Sequence, residues 1–272
     1  MSVSNADASY LVLIPFISAW VLFIERRRIF RNLSYSLTLG SCLLFGALCT
    51  GLVSYLAGTA LSLGLGIFGY ILSLVLFWEA GFTILFGKIA FKAAFFPLFF
   101  LLFMVPPPAF VLGRVIYFLQ TGSAWITGVL FDLFGVPALR EGFVFHLARA
   151  NIEIAKECSG IRSSMALLIL ALLVAHFRLR SFWKKVSFVA CGLLMMILKN
   201  GIRIVSLTLL AMYVDPSFLY GKLHHRGGVV FFLLSLLLLA PLLWLLQRGE
   251  VFLPARDANV FAIDSLNNIP SA

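Results

Sequence analysis

Long apolar stretches constrain the fold of this chain more than any other feature of its sequence. About 20 apolar residues in a helix cross the roughly 30 Å hydrocarbon core of a bilayer. Backbone polar groups in lipid must form their hydrogen bonds within the segment, which favours helices. The candidate spans are Tyr10–Ile24, Ser36–Tyr55, Leu61–Trp78, Ala93–Val111, Ser159–Phe177, Val186–Tyr213 and Val229–Leu246.

The composition supports a membrane location. Of 272 residues, 62% are hydrophobic and 12% are charged, whereas soluble domains are about half apolar and a quarter charged. This excludes a soluble enzyme, a cytosolic nucleic-acid binder and a disordered scaffold. We therefore predict an all-α fold, a polytopic integral membrane bundle of 7–8 transmembrane helices with an outer-face interfacial segment. We expect this bundle to interact with the lipid bilayer and not with nucleic acid.

Positive charges predict the orientation of these spans. The net charge of +10 indicates how the chain is oriented in the membrane, because Lys and Arg collect in cytoplasmic loops. Residues 1–9 carry no basic residue and no cleavage site precedes the first charges, so the first apolar run is predicted to be a span rather than a signal peptide. Two basic clusters are expected in the cytoplasm: Arg26, Arg27, Arg28 and Arg31, then Arg178, Arg180, Lys184 and Lys185.

The segment Phe110–Val136 is apolar enough to cross but carries several polar side chains. If Ala93–Val111 crosses, a further crossing here would put one basic cluster on the wrong side. Because Arg114, Thr121 and Asp132 share one helical face, we expect a helix that lies in the outer interface or dips in and returns. The following segment, Pro137–Ile154, is expected to form an outer-face strand or loop able to grip an extended substrate.

Polar residues in the second half gather in three short blocks, at 157–164, 200–204 and 224–228. From Cys158 to His176, and from Lys185 to Arg203, the chain advances 18 residues, or about 27 Å of helix. Both blocks should therefore reach the outer boundary of the hydrocarbon core, and His224 precedes the last span on the same side. We expect the three blocks to converge at one level.

These residue types suit nucleophilic catalysis. A thiol at a helix start, such as Cys158 near Arg162, has a raised thiolate fraction. A histidine can carry its proton to a leaving amine. Arg203 could stabilise an oxyanion, and Asn200 could orient either the guanidinium or a substrate carbonyl.

Simpler interpretations exist for each residue. Cys158 could be a small packing residue, and Arg203 could pair with Glu157 or Glu153. His224 and His225 could be interfacial residues. We expect no metal site, because the adjacent histidines lack Cys or carboxylate partners at helical spacing, and we expect no cofactor.

At these residues the sequence resembles the exosortase/archaeosortase family of membrane-embedded cysteine transpeptidases. The resemblance runs from about Phe96 to Phe232, and its most specific block is residues 157–163. It includes Phe96-Pro97 leading into Val105-Pro106-Pro107-Pro108, Glu157-Cys158-Ser159-Gly160-Ile161-Arg162-Ser163, Asn200-x-x-Arg203-Ile204, and His224-x-x-x-Gly228 followed by Phe231-Phe232.

The family's motifs place the nucleophile at Cys158, the essential arginine at Arg203 and the third catalytic position at His224. Arg162, Asn200, His225 and Glu157 are candidate substrate-binding or supporting residues. His225 and Arg226 crowd the third motif, so the choice of His224 depends on its spacing to Gly228.

The resemblance implies an enzyme that cuts a C-terminal sorting signal of exported proteins. Such a signal comprises a short motif such as Pro-Glu-Pro, a transmembrane helix and a basic tail. The resemblance also implies possible transfer of the new carboxyl end to an acceptor, a link to exopolysaccharide production, and a multi-pass protein of the bacterial inner membrane whose site faces the extracytoplasmic side.

We predict three regions in the chain. N-terminal transmembrane helices occupy residues 1–95, the exosortase-like catalytic region 96–248, and a polar cytoplasmic tail 249–272. The alternative is a non-enzymatic transporter or exopolysaccharide-assembly subunit in which Arg203 and His224 line a pathway. A transporter should carry polar residues at mid-membrane in several helices, whereas here they cluster at one outer level.

Overall fold

The computed structural model describes residues 9–57, 62–148, 151–155, 161–219 and 228–251. These residues are mainly helical and belong to two compact units, Met1–Phe118 and Leu119–Ala272. The predicted polytopic helical bundle is confirmed. Within the described residues, five helices are long and apolar enough to cross a membrane, and three further apolar helices are shorter, so a count of 7–8 crossings is not established.

The first unit contains six helical segments, of which the third and fourth pack antiparallel, and the N-terminal part of the helix that begins at Ala109. Its elements are α1 (Ser9–Ile24), α2 (Arg26–Ile29), α3 (Leu37–Leu56), α4 (Leu63–Ala93), α5 (Phe95–Leu101) and a 3₁₀ turn (Leu102–Met104). Small residues bring α3 and α4 close together, because Gly51 faces Ser73 and Gly69 faces Ser54. Close contact of this kind is how helices associate in lipid, where no hydrophobic force drives them together.

Glycine is required at one position of α4. Gly87 has a φ of +83°, and residues other than glycine rarely adopt a positive φ. A Cβ there would collide with the backbone oxygen of Ser34. The chain before α3 therefore packs directly against the backbone of α4.

The predicted span Ala93–Val111 is wrong as a single helix. The chain forms α5 and the 3₁₀ turn, and then α6 (Ala109–Leu133) begins after Pro106-Pro107-Pro108. Consecutive prolines lack amide donors and push the preceding residue out of the helical region, so they separate the two helices. Residues 95–104 advance about 15 Å as helix, too little to cross the hydrocarbon core alone.

Of the two courses expected for Phe110–Val136, the helix that dips in and returns is wrong. Most of this segment is one 25-residue helix, α6, without a break at which it could dip and return, and its length and apolarity suit a crossing. Arg114, Thr121 and Asp132 are exposed. Three other polar residues of α6, Gln120, Ser123 and Thr127, lie on a buried face, where they pack against protein.

The second unit contains the C-terminal part of α6, a small sheet and three long helices. Its further elements are β1 (Ala138–Glu141), β2 (Val144–Leu147), β3 (Asn151–Glu153), α7 (Ile161–Arg178), α8 (Phe182–Tyr213) and α9 (Gly228–Val251), with a 3₁₀ turn at Pro216–Leu219. The strands pair antiparallel in the order β1-β2-β3. The predicted strand or loop at Pro137–Ile154 is thus a three-stranded sheet.

Helices α7 and α9 pack antiparallel to α8. Near one end, Lys184 Nζ donates to the backbone oxygen of Leu246, 2.9 Å away. Further along, a Cβ at Gly192 would be 3.4 Å from the Cβ of Ala171. We call the end of α7 and α8 that carries Arg178, Arg180, Lys184 and Lys185 the basic end, and the opposite end the distal end. Between the basic end and the distal end, an apolar cluster joins the three helices and includes Leu167, Phe188, Met196 and Leu239.

Helices α6 and α8 run parallel and approach closely through reciprocal glycine contacts. A Cβ at Gly122 would lie 2.8 Å from Cγ2 of Ile197, and one at Gly201 would collide with Cγ2 of Ile126. Each helix therefore presents a glycine to an isoleucine of the other. Since α6 and α8 run in the same direction, the chain after α6 emerges at the distal end.

The sheet lies at the distal end against α6 and α8. The buried face of the sheet contributes Phe145 and Leu147 to a cluster with Phe131 of α6 and Val205 of α8. The rings of Phe131 and Phe145 meet edge to face at 5.6 Å. The sheet therefore covers the part of α8 that extends beyond Arg203.

The predicted region boundary after residue 95 stays a prediction, whereas the two compact units divide between Phe118 and Leu119. Helix α9 extends to Val251. The predicted cytoplasmic tail therefore begins within this helix, and its residues from 252 onward lie outside the described part of the chain.

We predict that Gly201→Ala lowers the free energy of unfolding by about 1–3 kcal/mol, a typical cost of overpacking. The added methyl group would meet both Cγ2 and Cβ of Ile126, the latter at 2.9 Å, and Cβ cannot move away by a rotamer change. Unfolding in mixed micelles would measure the cost. Gly113→Ala is the control, because nothing lies within 4 Å of a Cβ there. Equal stability of the two variants would contradict the close contact of α6 and α8.

Candidate functional site

Two of the seven predicted site residues have described side chains, Asn200 and Arg203, both on α8. Arg162 belongs to the first turn of α7, but its side chain lies outside the description. The remaining four also fall outside the described residues: Glu157, Cys158, His224 and His225. The structure therefore describes the helices that precede or follow these residues, and the side chains of Asn200 and Arg203.

Ile161, Arg203 and Gly228 lie at about the same distance from the basic end. Helix α7 begins at Ile161 and ends at Arg178, α8 runs from Lys184 to Arg203 in the same direction as α6, and α9 begins at Gly228 and reaches Leu246. These segments advance 17, 19 and 18 residues, or about 25–29 Å. The antiparallel packing thus places the starts of α7 and α9 level with Arg203.

Lys199 forms a direct link between α8 and the first turn of α7. Its Nζ donates to Ser163 Oγ at 2.5 Å, and its side chain is only 4% exposed. None of the sequence patterns gave Lys199 a role. A buried lysine within an apolar span is costly and marks a functional position by default, so its place directly before Asn200 was the signal.

Asn200 links the same turn of α8 to α6. Its Nδ2 donates to Ser123 Oγ at 3.0 Å, and both residues are buried. Adjacent residues of α8 therefore point to opposite neighbours, Lys199 to α7 and Asn200 to α6. The sequence predicted that Asn200 orients Arg203 or a substrate carbonyl, whereas its amide nitrogen is bonded to a helix partner.

Arg203 lies one turn beyond Lys199 and Asn200 and is half-buried. Residues three and four apart share a helix face, so the guanidinium emerges beside both links. The two links fix the position and rotation of this turn relative to α6 and α7. Arg203 is thus presented at the distal end from a rigid part of the helix.

The chain that leads toward Cys158 is also anchored to α6. Gln120 Nε2 donates to the backbone oxygen of Ile154 at 2.7 Å, and both residues are buried. The amide of Ile154 donates in turn to the carbonyl of Phe143. Residues 156–160 are therefore preceded by one fixed point, Ile154, and followed by another, Ser163.

Asp215 lies in the turn after α8, at the distal end. The backbone amide of Ser217 donates to Asp215 Oδ1 at 2.7 Å. This hydrogen bond lowers the pKa of the Asp215 carboxyl, because it favours the charged form. Asp215 stays ionised near neutral pH.

The described charged side chains of α8 at this level are those of Lys199 and Arg203, and both are cations. Lys199 and Arg203 lie on one face of α8, and in the described part of the chain no group of three His, Cys, Asp or Glu residues could hold a metal ion. An arrangement of this kind can stabilise negative charge at the start of α7 or on a bound group.

The fold and this level define a polytopic helical membrane protein with a cationic polar layer at one end of its second unit. The sequence profile of the transmembrane exosortases matches residues 2–241, and the chain belongs to that family. Membership indicates the general role of a membrane-embedded sorting transpeptidase. No curated protein and no solved structure matches the chain.

We predict a coupling free energy of about 0.6–1.7 kcal/mol between Asn200 and Ser123, the range of hydrogen bonds between membrane helices. A double-mutant cycle with Asn200→Ala and Ser123→Ala, measured by unfolding in mixed micelles, would give this value. The matched cycle uses Asn200→Ala with Thr121→Ala, since Thr121 is exposed on α6. Coupling that is equal in the two cycles would show that the bond contributes nothing specific.

Proposed function

We propose that the chain is a membrane-embedded cysteine protease or transpeptidase that cleaves C-terminal sorting signals of exported proteins with a site formed by Cys158, Arg203 and His224. The observation that carries this proposal is the convergence of the starts of α7 and α9 with Arg203 at one level. Family membership supports the general activity, and the residue roles are our assignment.

Chain connectivity supports the constellation. A chain extends at most about 3.6 Å per residue. Cys158 precedes Ile161 by three residues and His224 precedes Gly228 by four. Their Cα atoms therefore lie within about 11 Å and 14 Å of the first residues of α7 and α9.

The proposed reaction begins with attack of the Cys158 thiolate on the carbonyl carbon of the scissile amide. Arg203 stabilises the oxyanion of the tetrahedral intermediate with directed hydrogen bonds. His224, having taken the thiol proton, returns it to the amine as the carbon–nitrogen bond breaks. A thioester remains on Cys158, and water or another nucleophile resolves it, which restores the thiol and releases a new carboxyl end or a transferred product.

Supporting residues complete the assignment. Asn200 holds α8 against α6 and thereby fixes Arg203. Arg162, on the first turn of α7, adds positive charge beside the thiol, whereas Glu157 and His225 are neighbours of two catalytic residues in sequence and are assigned to substrate contact or support.

The proposed substrates are exported proteins that end in a short motif, a transmembrane helix and a basic tail. We assign the basic end to the cytoplasm and the distal end to the extracytoplasmic side of a bacterial inner membrane, where exported proteins are accessible. The correction to α6 preserves this orientation, since α6 makes the crossing that residues 95–104 are too short to make. A link to exopolysaccharide machinery is a further proposal from the family.

We predict that Cys158→Ala abolishes processing of such a substrate while the protein still accumulates in the membrane. A membrane-impermeant maleimide applied to intact spheroplasts should label the wild type at Cys158 and spare Cys42, Cys49 and Cys191, whose side chains belong to apolar helices. Cys191→Ala is the matched control and should keep both processing and labelling. Normal processing by the Cys158→Ala variant would refute the mechanism.

We predict that Arg203→Lys lowers kcat by about 10²–10³-fold, the usual cost of deleting an oxyanion donor. Lysine keeps the charge but lacks the planar fork of the guanidinium. The single-turnover rate of substrate cleavage would measure the effect, with Arg178→Lys at the basic end as control. A turnover near that of the wild type would show that any cation suffices at this position.

A further inference from the structure

The sheet at the distal end has an open edge, formed by β3. This strand is hydrogen-bonded to β2 on one side, and within the described part of the chain no strand pairs with its other side. Asn151 and Glu153 are exposed, and Ile152 between them is half-buried. An exposed strand edge presents backbone groups that can pair with another chain.

The register shows which backbone groups of β3 point outward. In an antiparallel pair, residues that exchange hydrogen bonds with the neighbouring strand alternate with residues whose amide and carbonyl point away from it. The amide of Ile154 donates to the carbonyl of Phe143 on the β2 side, and by alternation Ile152 also faces β2. Asn151 and Glu153 therefore direct their backbone amides and carbonyls outward. We call the outward side of these two residues the free edge.

The contacts of Ile154 place the end of β3 near the depth of Arg203. Gln120 of α6 donates to the carbonyl of Ile154, and Gln120 precedes Ser123 by three residues, or about 4.5 Å of helix. Ser123 accepts the hydrogen bond of Asn200, which lies one turn before Arg203. The free edge therefore ends within about two helix turns of Arg203 in depth.

The free edge also lies beside α8. Ile152 of β3 and Ile204 of α8 pack against the same buried cluster, and Ile204 follows Arg203 directly. Chain connectivity links the edge to the proposed nucleophile as well. Cys158 follows Glu153 by five residues, so their Cα atoms are at most about 18 Å apart.

A substrate segment that reaches this depth needs partners for its own backbone. The proposed reaction requires an extended peptide, whose amides and carbonyls lose water as they approach the hydrocarbon core. Unpaired backbone groups are costly there. The outward amides and carbonyls of the free edge can supply the missing hydrogen bonds.

We infer that the substrate segment before the transmembrane helix binds as an additional strand at the free edge, paired with Asn151 and Glu153. Pairing of this kind recognises an extended backbone, and it fixes which amide of the peptide is presented at Arg203. The inference rests on the proposed function for the identity of the peptide. The outer edge of β1 suits this role less, because it lies two strand spacings, or about 10 Å, farther from Ile154.

Amide-to-ester substitution in the substrate tests the pairing, because an ester lacks the N–H donor. Each non-proline residue among the last ten or so before the reporter's transmembrane helix is replaced in turn, and Kd for the Cys158→Ala variant is measured in nanodiscs. Only every second residue of a strand directs its amide to a given neighbour. We expect esters at two positions, two residues apart, to weaken binding by about 2- to 10-fold each. The ester between them should bind like the parent reporter.

A proline at each edge of the sheet provides a matched pair of enzymes. Glu153→Pro removes an outward amide and keeps the pairing with β2, since proline is tolerated at strand edges. It should weaken binding of the unmodified reporter by about 2- to 10-fold. Ala138→Pro is the control, because Ala138 lies opposite Leu147 at the start of β1 and its amide points away from β2. This variant should leave Kd unchanged.

The outcomes separate this inference from the proposed function. Binding to the Cys158→Ala variant needs no reaction, so an alternating response to the esters supports the inference even if that variant still cleaves. Binding that no ester weakens, or that consecutive esters weaken equally, would overturn the inference and leave the proposed function intact. Equal losses in Glu153→Pro and Ala138→Pro would also count against it. A reporter that neither binds nor is cleaved would refute both.

A second copy of the chain is the other candidate for the free edge. Glu153→Cys, introduced in the Cys158→Ala variant and oxidised without substrate, tests for it. We expect monomers, because the edge is assigned to the peptide. Disulfide-linked dimers that the reporter does not displace would show that a second copy occupies the edge and would overturn the inference.

Discussion

A polar group inside a bilayer must find its partner within the protein, and the second unit is organised around this requirement. The turn of α8 at Lys199 and Asn200 is buried where the helix would otherwise meet only apolar surface. Lys199 bonds to Ser163 on α7 and Asn200 bonds to Ser123 on α6. Both helices are thereby held in register with α8, so these buried polar groups determine how the helices align. Arg203 takes its position from this turn.

Small residues make these bonds possible. Interhelical hydrogen bonds need short distances between backbones, and glycine allows them. Gly122 and Gly201 flank the Asn200–Ser123 bond and each receives an isoleucine of the other helix. In the first unit, the close contact of α3 and α4 uses glycine and serine in the same way. The two units share this principle, although only the second carries the cationic level to which we assign catalysis.

The sequence predicted the spans of α7, α8 and α9 to within a few residues, because each is a long apolar run bounded by charge. It predicted a helix at Phe110–Val136 but not a crossing, because the predicted span Ala93–Val111 already supplied the crossing that the two basic clusters allow. The partners of the buried polar residues Gln120 and Ser123 are Ile154 and Asn200, which are distant in sequence, and hydropathy alone cannot reveal them. Lys199 was overlooked for the related reason that its acceptor, Ser163, lies 36 residues away. The depth count that placed Arg203 level with the start of α7 needed only helix rise, and the antiparallel packing of the described helices agrees with it.

The central claim is that Cys158 forms a covalent acyl intermediate at this level, and trapping that intermediate tests it most directly. Membranes that contain the enzyme would be mixed with substrate, quenched in acid and digested, and the peptide that contains Cys158 would be examined by mass spectrometry. We predict a mass increase equal to the substrate fragment, which neutral hydroxylamine removes and which is absent from Cys158→Ala. Cleaved substrate without any adduct on Cys158, or with an adduct on another residue, would contradict the account.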